Sequence, residues 1–141
     1  MKKLLATLLM TFAILTGSNL TFTNSAEAVE IQLNNQIGKT LHVAVLYYNE
    51  TQGSWYNAFW YNVQPNSFRS LNFPNHNKPH VWIHAHNNER SWGSEKAWTV
   101  TTESNKYKVG KESCPDGSNR RQVAYDSYQI GQDGTVRVNF R

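Results

Sequence analysis

Three of the five histidines fall in one segment, His80-Val81-Trp82-Ile83-His84-Ala85-His86. In an extended strand alternate residues point to the same side, so Val81, Ile83 and Ala85 share one face and His80, Trp82, His84 and His86 the other. Same-face neighbours lie about 6.5 to 7 Å apart, so His84 and His86 could hold one zinc or copper ion through imidazole nitrogens, with His80 further along. A third ligand has to come from another strand, and His42, His76, Glu89 and Glu95 are the residues available. A polar, solvent-facing strand interrupted by Trp82 gives the same pattern without a metal.

A second set of residues suits stacking rather than ligation. Trp55, Tyr56, Phe59, Trp60 and Tyr61 crowd into seven positions, with Trp82, Trp92 and Trp98 elsewhere. Strict alternation places Trp55, Phe59 and Tyr61 on one face and Tyr56, Ala58 and Trp60 on the other. One face must be buried, and the other would present a ring platform for a sugar or peptide. Trp55, Trp60, Tyr61, Trp82 and Trp92 are the candidate ligand-binding rings. Asn57, Asn62 and Gln64 offer amides for sugar hydroxyls. Core packing is the competing explanation for each ring.

Signatures of catalysis are missing. The sequence has no Gly-x-Ser-x-Gly elbow, His-Glu-x-x-His, phosphate-binding glycine loop or Cys-x-x-Cys. Its carboxylates are scattered, and the single cysteine, Cys114, precedes Pro115 in a turn-like stretch rather than at a helix start, where its thiolate would be favoured. These absences favour a non-enzymatic binding role, and no organic cofactor is expected.

The chain ahead of these elements reads as an export signal. Lys2 and Lys3 lead into an apolar run from Leu4 to Leu15, then a Ser/Thr/Asn-rich stretch and a small-x-small site at Ala26-Glu27-Ala28. Residues 1–28 are therefore expected to be a cleavable signal peptide and residues 29–141 a single domain. The apolar run falls short of the roughly 20 residues needed to span a bilayer, and no later segment is uniformly apolar, so no transmembrane segment is expected after cleavage. A lipoprotein signal needs a cysteine directly after the apolar run, which Cys114 is not. One cysteine also forbids an intrachain disulfide, leaving the core to hold the fold. The expected location is secreted or otherwise outside the cytoplasm, which removes nucleic acid as a partner and leaves an envelope glycan, a wall polymer or a protein.

The full chain of 141 residues is 13% aromatic, 17% charged and carries a net charge of +4. That excess would favour anionic surfaces such as wall polymers. Lys106, Lys108, Lys111, Arg120 and Arg121 flank one loop region, as a basic cluster or as a solvated loop.

Positioning falls to β-strands, because the apolar period is two throughout. Expected strands run over 29–33, 41–48, 55–63, 68–73, 80–86, 97–101, 106–109, 122–130 and 135–140. The first two read as a hairpin turned at Gly38. Asn87 to Ser94 reads as a loop, and Pro115-Asp116-Gly117 and Gln132-Asp133-Gly134 as turns. With the shortest of these candidates set aside, seven or eight short strands without a capped helical stripe predict one antiparallel β-sandwich or partly closed barrel.

The stretch from Leu33 to Tyr48, then Trp55, Phe59-Trp60-Tyr61-Asn62-Val63-Gln64-Pro65, Val81 to Ala85 and Trp92-Gly93 resembles the DUF1036 family. These are small, mostly exported bacterial domains of unknown function. The resemblance spans roughly Ile31 to Val109. Family members often carry cysteines where this chain holds Asn34, Ser67 and Thr99, so no disulfide framework carries over. The resemblance implies the fold and export, and no chemistry.

Overall fold

The structure is a computed structural model that describes residues 28–109 and 119–141. The signal segment up to Glu27, with most of its cleavage site, and Lys111 and Cys114 lie outside the described residues. The ten strands are β1 (Val29–Asn35), β2 (Leu41–Asn49), β3 (Ser54–Val63), β4 (Ser67–Phe73), β5 (His80–His86), β6 (Ser91–Trp92), β7 (Lys96–Val100), β8 (Asn105–Lys108), β9 (Arg121–Gln129) and β10 (Thr135–Phe140), with no helix among the described residues. The smaller sheet has the order β10-β1-β4, and the larger runs β7-β9-β5-β2-β3-β8 with β6 added beside β5. The all-β sandwich or partly closed barrel is thus the observed architecture. Two-residue β6 falls inside the stretch expected to be a loop.

Two expectations about pairing are corrected. β1 and β2 form no hairpin, since β1 pairs with β4 and β10 while β2 pairs with β3 and β5. The ladder is also not antiparallel throughout, because β1 and β10 run parallel. The change of sheet after β1 is anchored at Asn35, which is fully buried. Its Nδ2 group reaches the carbonyls of Lys39, Val63 and Gln64 at 2.9 to 3.1 Å, and its Oδ1 accepts from the Ile37 N–H at 3.0 Å. One amide thereby satisfies the backbone at both places where the chain changes sheet, after β1 and after β3, and Gly38 turns the chain between sheets rather than back on itself.

Between the sheets lies an almost wholly apolar core. Val29, Ile31 and Leu33 of β1 and Val136, Val138 and Phe140 of β10 meet Val43, Val45 and Tyr47 of β2 and Val81, Ile83 and Ala85 of β5. The alternation along β5 therefore sends its aliphatic half where the sequence pattern predicted.

The other face of the large sheet is concave and holds a second cluster of Ala44, Leu46, Phe59, Val100, Val123 and Tyr125, flanked by Trp55, Trp60, Trp82, Trp98 and Tyr107. Side chains bridge this curl. Asn57, fully buried on β3, donates to the Thr99 carbonyl and the Tyr107 hydroxyl, both at 3.3 Å, and accepts from the Tyr125 hydroxyl at 2.7 Å. The Tyr107 hydroxyl donates to the Thr99 carbonyl at 2.7 Å, tying edge strands β7 and β8 together without a backbone ladder between them.

Candidate functional site

Strand β5 lays His80, Trp82, His84 and His86 along the concave face, and the neighbouring strands decide what each meets. His42 of β2 is directly opposite His86, with ring centroids 5.2 Å apart, and His84 and His86 are 5.5 Å apart. His80 is separated from this group: it stands at the far end of β5, against Trp55 at 5.9 Å and Trp82 at 5.5 Å. Six residues of strand put it about 20 Å from His86. The expected trio of His80, His84 and His86 is therefore corrected to His42, His84 and His86, because a third ring comes closer across a ladder than along a strand.

Of the other third ligands considered, His76 lies against the Tyr48 backbone, Glu89 pairs with Lys39, and Glu95 accepts from the Ser127 N–H. Among the described residues, no group of three His, Cys, Asp or Glu side chains is disposed to hold a metal ion.

Hydrogen bonds fix the tautomers of the three rings. His84 Nδ1 donates to the Ala124 carbonyl at 2.7 Å, leaving its Nε2 buried and without a partner. His42 Nδ1 donates to Asn62 Oδ1 at 2.8 Å. A guanidinium can only donate, so the 3.1 Å contact between Arg121 and His86 Nε2 makes that nitrogen an acceptor. The proton of neutral His86 then resides on Nδ1, which is also buried without a partner. Burial lowers the pKa of His86 to about 4, helped by the positive charge of Arg121 and by His84 and His42. Burial likewise lowers that of His84, so both imidazoles are neutral at pH 7.

These residues border an open cavity of about 190 Å³ lined by His42, Trp60, His86, Thr102 and Arg121. Trp60 is held by its indole N–H, which donates to the Thr101 carbonyl at 2.7 Å, and it meets His86 edge to face at 4.6 Å. The Arg121 guanidinium sits 5.6 Å from the centroid of the Trp60 ring.

Trp60 reaches this position through a register shift. Val43 pairs with Tyr61 but Val45 with Ala58, so β3 carries one extra residue at Phe59–Trp60. Both of these rings go into the curl, while Tyr61 and Val63 return to the inter-sheet side. The expected grouping of Trp55, Phe59 and Tyr61 opposite Tyr56, Ala58 and Trp60 is corrected accordingly.

The five candidate rings consequently divide. Trp60 lines the cavity. Trp55 and Trp82 stand at the other end of the curl, where Trp82 packs 5.5 Å from Trp98 beneath Lys96. Tyr61 lies by Phe73 and Arg69 on the inter-sheet side. Trp92 pairs with Ala85 through β6, takes its face and packs on Phe140. A β-carbon at Gly93, whose φ is +136°, would stand 1.8 Å from the Ala124 carbonyl oxygen. Only glycine lets the backbone lie against that carbonyl, the acceptor that orients His84.

Arg121 and Thr102 are the cavity residues that sequence reasoning did not place in a site. Arg121 stood out only as part of a basic run, and Thr102 carried no signal at all. The fold and cavity together define an all-β protein with one dry core and one ring-lined, imidazole-bearing curl. Comparison with family models, with curated proteins and with solved structures returns no match for this chain.

Proposed function

We propose that the protein is an exported, non-enzymatic binding module that takes a glycan or wall polymer at the cavity beside Trp60. The observation that carries this reading is the open 190 Å³ space in which an anchored indole adjoins hydrogen-bonding groups of His42, His86, Thr102 and Arg121. Such sites combine a ring for the C–H face of a sugar with polar groups for its hydroxyls. Export rests on the sequence pattern of residues 1–28, and the likeness to DUF1036 domains from Ile31 to Val109 is consistent with it.

The test is titration of soluble oligosaccharides and wall-polymer fragments into the purified protein, followed by tryptophan fluorescence. A saturable change is expected that disappears in Trp60→Ala and in Thr102→Phe. The second variant fills the cavity from an exposed position, so it keeps the result readable if Trp60→Ala unfolds. Binding that survives both variants and is lost in Phe68→Ser would move recognition to the exposed ring on strand β4.

A second reading, binding of zinc or copper, is favoured by the buried, unpartnered lone pair on His84 Nε2, in a ring 5.5 Å from that of His86, which itself lies beside His42. It calls for near-stoichiometric metal in untagged protein that vanishes in the His84→Ala, His86→Ala double variant. Protein isolated free of metal, and taking up none on dialysis against zinc or copper, would end it.

A further inference from the structure

The lining of the Trp60 cavity is unbalanced in charge. Arg121 contributes a permanent positive charge from β9, and among the described residues none that lines the cavity is acidic. Among the described residues the polar partner of Arg121 is the neutral His86. Asp126, the carboxylate whose charge is felt at His84, is engaged by the backbone N–H and hydroxyl of Ser94 at 2.7 and 2.9 Å. An exposed guanidinium satisfied only by an imidazole keeps most of its five N–H donors for a ligand.

Resting on the cavity reading above, we infer that the site selects an oxyanion carried on a sugar or polyol, a carboxylate or a phosphate, with Arg121 as its charge partner. Trp60 then covers the adjoining carbon skeleton and the Thr102 hydroxyl donates at the rim. A guanidinium fork matches both oxyanions, so the chemistry shared by an acidic saccharide and a phosphopolyol is what the site reads.

The experiment titrates glucuronic acid, glycerol 1-phosphate and glucose into the purified protein at pH 7.5, reading the Trp60 indole NMR signal. At least one of the two anions is expected to bind ten-fold or more tighter than glucose, and which one identifies the source. Its affinity should fall at least ten-fold in Arg121→Gln, with partial recovery in Arg121→Lys. Glucose binding as well as both anions, with Arg121→Gln unchanged, would overturn the anion inference and leave the cavity reading standing. An indole signal that no probe, glycan or wall polymer moves would overturn the cavity reading itself.

Discussion

Val43, Val45, Val81, Ile83 and Ala85 pack against the small sheet, whereas Ala44, Leu46, Trp82, His84 and His86, one residue along on the same two strands, pack inside the curl. The first group asks only for area. The second brings indoles, imidazoles and hydroxyls below the surface, and each of these needs a partner or leaves free energy unrecovered. Asn57, Tyr107 and Tyr125 satisfy one another, while His84 Nε2 and His86 Nδ1 remain unpartnered. A face that is apolar and fully packed can do little beyond holding the fold. The face with open hydrogen-bonding capacity carries the cavity beside Trp60.

The largest effect that tests this contrast is loss of a side chain from the dry core. Ile31→Ala should cost about 3 to 4 kcal/mol, because a fully buried isoleucine between two ladders leaves a void that β1 cannot collapse around. Leu46→Ala, in the curl, should cost about 2 kcal/mol, because the half-buried Trp82 paired beside it has room to settle into the gap. Urea midpoints measure both. Equal costs would erase the difference in packing between the two faces.

Next comes the polar network. Asn57→Ala removes three hydrogen bonds at once, those to the Thr99 carbonyl and the Tyr107 hydroxyl and the one from the Tyr125 hydroxyl, and should cost about 2 to 3 kcal/mol, against about 1 kcal/mol for Tyr125→Phe, which removes one donor and leaves Asn57 its other bonds. Since the network spans β3, β7, β8 and β9, hydrogen exchange in Asn57→Ala should accelerate first at the amides of β7 and β8. Uniform acceleration across both sheets would show that these bonds do not specifically close the curl.

How much of this the sequence carried depended on whether the deciding contact was local. The bounds of β5 and β10 follow from alternation alone, and so does the division of β5 into an aliphatic and a histidine face. The extra residue in β3 was hidden because Phe59, Trp60 and Tyr61 are all large rings, and either register gives an equally apolar pattern. Gly38 looked like the turn of a hairpin because a turn signal says that the chain bends, not which strand it meets next. Asn35 decides that through carbonyls up to 29 residues away. The site was half legible. His42 stood among four third partners for the histidine face, but its selection over His76, Glu89 and Glu95 is made by the β2–β5 register, and Arg121 arrives from β9 by pairing that no local motif announces.

The smallest expected effect is the pH dependence of the curl. The folded pKa of His86, about 4, lies below the ordinary imidazole value of 6.5, and burial lowers those of His84 and His76 as well. Between pH 6.5 and 4 the unfolded chain therefore binds protons that the native state refuses, so stability is complete above pH 6.5 and falls as pH drops toward 4. The carboxylates with lowered values, Glu30 and Asp133, act only at the bottom of this window and below it, since their ordinary values are 4.5 and 3.8. His86 is only half-buried, which limits its share to about 1 to 2 kcal/mol. The dry core has no histidine, so the slope should belong to the curl. Urea midpoints for wild type and His86→Gln at pH 7.5, 5.5 and 4.5 should converge as the pH falls, with the variant losing less. Parallel losses in the two proteins would place the acid sensitivity outside the face that carries the cavity.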